Sequence, residues 1–114
     1  MSAKGRQHYR HLPAFILLVL ADNPVHGSAI HTLLMERMGL SRPDSGAIYR
    51  TLQQLEQEGE VVFEWDTSGN GPARKVYRLT PAGWEKLEQW REDIEMRLAN
   101  LQNFLKIYAA LVKR

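Results

Sequence analysis

The stretch that decides the fold runs from residue 46 to residue 80. Residues 46–59 read Gly-Ala-Ile-Tyr-Arg-Thr-Leu-Gln-Gln-Leu-Glu-Gln-Glu-Gly, residues 61–66 read Val-Val-Phe-Glu-Trp-Asp, and residues 69–80 read Gly-Asn-Gly-Pro-Ala-Arg-Lys-Val-Tyr-Arg-Leu-Thr. Ile48, Leu52 and Leu55 fall at i, i+4 and i+7, which is one face of a helix. That helix is predicted from about Pro43 to Glu58, with Asp44 or Ser45 as its cap and Gly59 as its stop. Val61, Phe63 and Trp65 alternate with Val62, Glu64 and Asp66, the period of a strand. Ser68-Gly69-Asn70-Gly71-Pro72 is dense turn chemistry. Arg74 to Leu79 is the return strand, with Lys75, Tyr77 and Leu79 on one face and Arg74, Val76 and Arg78 on the other.

Upstream, residues 1–8 read as a polar arm. A first helix is predicted from near Tyr9 to Pro13 through Ala21, with Leu12, Phe15, Ile16, Val19 and Leu20 as its core face. Asp22-Asn23-Pro24 breaks it. A second helix opens around His26-Gly27-Ser28, carries Ile30, Leu33, Leu34, Arg37 and Met38, and stops at Gly39. Downstream, Thr80 is a good N-cap with Pro81 at the first helical position. The helix that follows runs about 30 residues, or about 45 Å. Leu87, Trp90, Ile94, Leu98, Leu101, Leu105, Tyr108 and Val112 recur along it at three- and four-residue steps, and Phe104 and Leu111 widen the stripe. The core of some 80 preceding residues is too small to cover such a stripe, so much of it is expected to meet another chain.

The bulk numbers narrow the function. The 114 residues are 44% apolar and 25% charged, an ordinary soluble composition for one domain or a domain plus a long helix. The absence of cysteine excludes a disulfide framework, a thiol nucleophile and a cysteine zinc site, and it fits a reducing cytoplasm. The apolar run Ala14 to Ala21 is framed by Pro13, Asp22 and Asn23 as a buried helix rather than a signal core, and it is far below the roughly 20 residues that span a bilayer. Four histidines fall in two pairs, His8 with His11 and His26 with His31, at spacings that match no metal site, so a structural or solvent role is expected. There is no phosphate loop or nucleophile elbow, and no enzyme or cofactor is implied. Net charge is only +2, but residues 74–78 hold three cations without an acid, and Lys4, Arg6 and Arg10 do the same at the start. Local patches rather than global charge would have to supply phosphate contacts.

The element order is helix, helix, helix, two-stranded wing and long helix: a mainly α, α+β winged helix-turn-helix. In wording as well as order the chain resembles the PadR family of bacterial transcriptional regulators, in its short branch with a single C-terminal dimerisation helix. The matching pieces are Leu17 to Ala21 with His26-Gly27, Gly46 to Leu52, Leu55 to Gly59, the wing Gly71-Pro72-Ala73-Arg74-Lys75, and Tyr77 to Thr80 with Gly83. They cover roughly residues 9–87 densely, while the last helix matches in length and pattern. Ser28 departs from an aromatic common after His-Gly, which reads as a local packing change. The resemblance implies a DNA-binding unit over 1–80 and a dimerisation helix over 81–114. It also implies a cytoplasmic homodimeric repressor that binds a near-palindromic double-stranded operator and leaves it on sensing a small molecule or stress.

The face of the third helix opposite Ile48, Leu52 and Leu55 presents Gly46, Arg50, Gln53 and Gln57, with Tyr49 at its flank and Ser45 at its start. By themselves such residues read first as an ordinary solvated helix face. Arg and Gln side chains can also read guanine and adenine, and Ser and Tyr hydroxyls hold phosphates. With the resemblance, DNA contact is expected from Ser45, Gly46, Tyr49, Arg50 and Gln53, and from Arg74 and Lys75 of the wing. Arg78 is a candidate either for such a contact or for pairing with an acid, and Arg6 and Arg10 are candidates for added backbone contacts. The dimer seam is expected along Leu87, Ile94, Leu98, Leu101, Leu105 and Tyr108. Trp84 and Trp90 either pack that dimer or sandwich a flat apolar or aromatic effector, and Trp65 reads as core. A winged-helix module that binds protein and not DNA is the alternative; acids at positions 50, 53, 74 and 75 would favour it, and Arg50, Gln53, Arg74 and Lys75 argue against it.

Overall fold

The computed structural model describes residues 10–40 and 43–113. The expected polar arm, with Lys4, Arg6 and His8, lies outside the described residues. In chain order the elements are α1 (Leu12–Asp22), β1 (Val25–His26), α2 (Gly27–Glu36), α3 (Ser45–Gln57), β2 (Val61–Asp66), β3 (Arg74–Leu79) and α4 (Pro81–Val112). The winged helix-turn-helix is therefore present, with one strand more than the two expected. Val25 and His26 pair antiparallel with Tyr77 and Val76, giving a sheet of order β1-β3-β2. Two residues after a proline carry no readable alternation, so the period that reveals β2 and β3 is silent here.

The core lies where α1, α2 and α3 meet the base of the sheet. Leu12, Ile16, Leu17, Val19 and Leu20 of α1 pack with Ile30 and Leu34 of α2, Ile48, Leu52 and Leu55 of α3, and Val61 and Tyr77 of the sheet. Burying each such aliphatic side chain contributes roughly 1.5–3 kcal/mol. Leu17 joins this core although it falls off the expected face, because α1 is surrounded and buries most of its circumference. Phe15 packs against the cluster only partly buried.

The local signals act as their chemistry requires. The Asp44 carboxylate accepts the Ala47 N–H at 3.1 Å and caps α3. At the other end Gly59 takes φ 76°, the left-handed conformation that favours glycine. There the Gly59 N–H donates to the Glu56 carbonyl and the Glu60 N–H to the Leu55 carbonyl. The Thr80 hydroxyl accepts the Gly83 N–H at 3.0 Å and donates to the Gly59 carbonyl at 2.6 Å. The Thr80 N–H donates to the Glu60 carbonyl at 3.1 Å. The last turn of α3, the start of the sheet and the first turn of α4 thus share a few backbone groups.

The helix α4 then leaves the domain. Leu87 and Trp90 are partly buried against the core of their own chain. Every residue from 98 to 113 is exposed, and Leu101 is 63% exposed. No described helix is long and apolar enough to cross a membrane.

Two predictions follow from the junction with α4. A Cβ on Gly83 would stand 2.1 Å from the Glu60 carbonyl oxygen and 2.9 Å from Leu79 Cγ. Gly83→Ala is expected to lower stability by about 1–3 kcal/mol, since backbone must shift to admit the methyl; an unchanged melting midpoint would show that the contact is loose. The Glu60 side chain is buried, with Oε1 lacking a hydrogen-bond partner. Burial first, and the neighbouring Glu58 charge second, raise its pKa above the ordinary 4.5. A carboxyl raised in the fold favours folding in its protonated state, and that contribution is lost as pH climbs through the raised value. Glu60→Gln should therefore raise the midpoint at neutral pH and flatten its fall above pH 4.5; melts at a series of pH values decide it.

Candidate nucleic-acid interface

Because Ile48, Leu52 and Leu55 hold α3 down on the core, its opposite face is fixed outward. Ser45, Tyr49, Arg50 and Gln53 are all exposed on it, and Gly46 is half-buried. The Arg50 guanidinium folds back over Gly46, its Nη1 3.1 Å from where a Cβ would sit, and lies 3.7 Å from the Asp44 carboxylate. The space that glycine leaves is thus used by Arg50 within the chain. Tyr49 turns from α3 toward the sheet.

The wing meets Tyr49 across a groove of about 320 Å3 lined by His26, Ser28, Tyr49, Trp65, Arg74 and Lys75, among others. A second groove of about 330 Å3 continues past Ser28 and Tyr49 to His31, Thr32 and Ser45. Four of the expected residues, Ser45, Tyr49, Arg74 and Lys75, therefore converge on one continuous face. Arg50 and Gln53 line neither groove and stand exposed on α3.

Ion pairing sorts the cations. Arg78 is bound to Glu64 across the wing at 2.6 Å, the acid pairing anticipated for it. Arg37 pairs with Asp22, Arg91 with Glu88 and Glu95, and Arg97 with Asp93. Arg74 and Lys75 have no carboxylate within ion-pair distance among the described residues. The Lys75 ammonium instead sits 4.2 Å from the centre of the Phe63 ring and 5.7 Å from that of Trp65. The face holds positive charge that no carboxylate neutralises among the described residues, beside neutral hydrogen-bond donors, a set that suits a polyanion.

Two features were not read from the sequence. The first is a clasp: His26 Nε2 and Asp66 Oδ2 lie 2.9 Å apart, tying the start of α2 to the end of β2. The Ser68 hydroxyl and N–H both donate to Asp66 Oδ1, at 2.6 and 3.0 Å. These Ser68 bonds first, and His26 next, hold the Asp66 carboxyl well below the usual carboxylate range. Forty residues separate the partners, so no local spacing signals them. The second is Trp65, expected in the core and found 59% exposed. It keeps the alternation of Val61 and Phe63, but β2 has by then run past the edge of the helices.

His11 stacks edge-on against Trp90 at 5.8 Å, and burial lowers its pKa. His31 lines the second groove, and His8 lies outside the described residues. Trp84 and Trp90 share a mostly apolar groove of about 400 Å3 with Phe15, Leu18, Leu87 and Ile94.

Comparison with known proteins agrees with this architecture. Residues 16–89, more than half of the chain, match the Transcriptional regulator PadR-like family. The chain is 42% identical over 80 residues to the transcriptional regulator Rv3488 of Mycobacterium tuberculosis, covering 70% of this chain and 72% of that one. It is similar to a PadR-like transcriptional regulator from Bacillus cereus, with a TM-score of 0.73 and 28% identity over 91% of this chain and 95% of that one. It also resembles Bacillus subtilis PadR, whose structure is of a complex with operator DNA, with a TM-score of 0.64 and 29% identity over 71% of this chain. The match covers 46% of that longer protein.

Proposed function

The chain belongs to the PadR-like family of transcriptional regulators, and on that premise we propose that it is a homodimeric repressor of a near-palindromic DNA operator. The observation that carries this reading is the pairing pattern: among the described residues Arg74 and Lys75 have no carboxylate partner, and they line one groove with Tyr49 beside the exposed polar face of α3. In this reading α3 enters the major groove, where Arg50 and Gln53 address base edges and Ser45 and Tyr49 hold phosphates, with Gly46 keeping the helix start slim. Arg74 and Lys75 grip the flanking backbone. The operator complex of the Bacillus subtilis relative supports the choice of DNA over a protein partner.

The dimer reading rests on α4. Leu98, Leu101, Leu105 and Tyr108 are exposed along one stripe, and a second copy of the same stripe supplies matching apolar surface. Leu87 is partly spent on its own core, and Ile94 is half-buried, so the seam gathers toward the C-terminal half. Two domains joined this way would address half-sites about one helical turn apart. The Trp84–Trp90 groove is our candidate for a flat apolar or aromatic effector, its roughly 400 Å3 falling within the span of small-molecule sites. Dimer packing is the competing use of the same indoles.

Fluorescence anisotropy with a duplex from the protein's own promoter region and a scrambled duplex, at two salt concentrations, tests the DNA face. Tyr49→Ala and Arg74→Ala should each weaken binding roughly tenfold in a protein that remains folded and dimeric, and Arg74→Ala should reduce the salt slope by about one. Unaltered affinity in both would sink the assigned face. For the dimer, Leu101→Glu places a charge in the seam and should give monomers in light scattering; a dimer of unchanged stability would place the stripe's partner elsewhere.

A further inference from the structure

An exposed tryptophan at the edge of a cationic groove is an unusual use of the largest apolar side chain, and Trp65 is held there firmly. Its strand position faces Lys75 in the register, two positions beyond the Phe63–Tyr77 pair and on the same face. The indole packs edge-on against Phe63, ring centres 5.7 Å apart, with the Lys75 ammonium close to both rings. The next residue, Asp66, is pinned by His26 and Ser68. The end of the strand is thus bonded on both sides of the groove, and Trp65 is presented rather than loosely displayed.

The neighbours limit what such an indole can meet. Arg74 and Lys75 supply positive charge, Ser28 and Tyr49 supply hydroxyls, and the nearby Asp66 carboxylate is engaged with His26 and Ser68. A ligand that suits this set has an anionic group for the cations and, within a few ångströms of it, a flat or apolar face for the ring. A nucleic-acid backbone repeats that combination at every residue, since each phosphate is flanked by a deoxyribose whose carbon face is apolar.

We propose that Trp65 is a further DNA-contacting residue, its indole packed on a deoxyribose of the strand whose phosphate is held by Arg74, Lys75 and Tyr49. This rests on the DNA-binding reading above and adds to it a contact that is apolar and blind to sequence. A sugar contact strengthens binding to any duplex, so it supplies affinity and register, while α3 supplies discrimination.

The test uses the whole protein labelled with 5-fluorotryptophan. Its three tryptophans give three fluorine resonances, and Trp65→Phe identifies the one from Trp65. Promoter and scrambled duplexes are added at low salt, with anisotropy followed in parallel. The Trp65 resonance should shift with both duplexes as binding saturates. Trp65→Ala should weaken binding to both by roughly tenfold, the scale of one apolar side-chain burial, with Trp65→Phe retaining most of the affinity. A Trp65 resonance that stays put while anisotropy reports binding overturns the proposal and leaves the DNA reading intact. So does a folded Trp65→Ala protein with undiminished affinity. Should Trp65→Ala fail to fold, the resonance of the intact protein decides alone. Absence of binding to either duplex by the unmodified protein would remove both readings together.

Discussion

The peptide of Glu60 is the constraint on which the rest of the molecule depends. Its N–H closes the end of α3 on Leu55 and its carbonyl receives the Thr80 N–H that starts α4. Gly83 packs so closely on that carbonyl that a methyl group has no room. Three elements with different tasks therefore meet at one backbone unit: the helix that carries the polar face, the sheet that carries the wing, and the helix that leaves the domain. Backbone hydrogen bonds in a buried joint are short and directional, so the angle between α3 and α4 is set locally. In the dimer proposed here, that angle and the seam along α4 together fix how far apart the two copies of α3 lie.

Charge is distributed on the same plan. The net charge of +2 conceals a separation between cations paired with carboxylates and cations that, among the described residues, have no carboxylate partner. Arg37, Arg78, Arg91 and Arg97 are each spent on a carboxylate. Such exposed pairs stabilise weakly, typically by 0.2–1 kcal/mol. Their larger consequence is that they neutralise α4 and the outer face of the wing, which leaves the groove between Tyr49 and the wing as a local concentration of positive charge. Arg74 and Lys75, adjacent cations without a carboxylate between them, repel each other, and the aromatic contacts of Lys75 leave its charge in place. Their arrangement makes physical sense once a polyanion is placed against them, because the gain then comes from counterions released on binding.

How much of this could be read from the sequence follows from the range of each signal. Periodicity is local, and it located α1, α2, α3, β2, β3 and α4 to within a few residues. Thr80 with Pro81 marked the start of α4, and Gly59 marked the end of α3. The bonds that shape the candidate site are not local. His26 finds Asp66 only because β1 joins β3 and β3 joins β2, and β1 itself is too short to announce its presence. Trp65 shows the limit of alternation more plainly. The period tells which face a residue occupies, but not where the core beneath that face ends. Val61 is buried, Phe63 half-buried and Trp65 exposed along the same side of one strand. Similarly, Leu87 and Leu101 carry the same signal in the stripe of α4, yet the first is packed on its own chain and the second is bare.

That division of α4 also bears on how the protein works as a unit. A helix gains most of its stability from packing one face, and an isolated segment of about 15 residues is marginal in water. The half of α4 near Trp90 has this support from α1, whereas residues 98–113 find none among the described residues. Leu98, Leu101, Phe104, Leu105, Tyr108 and Leu111 would together expose an apolar surface far more extended than the single residues scattered over ordinary monomers. In the dimer reading this surface is both the reason to associate and the condition for the helix to persist. Order in the second half of α4, association of two chains and the spacing of two α3 helices are then one equilibrium seen at three places. A DNA site that requires two copies of α3 at a set distance favours the associated state, and the associated state favours the helix. The rigid joint at Glu60 is what makes that linkage effective, since a flexible one would let α4 pair without positioning α3.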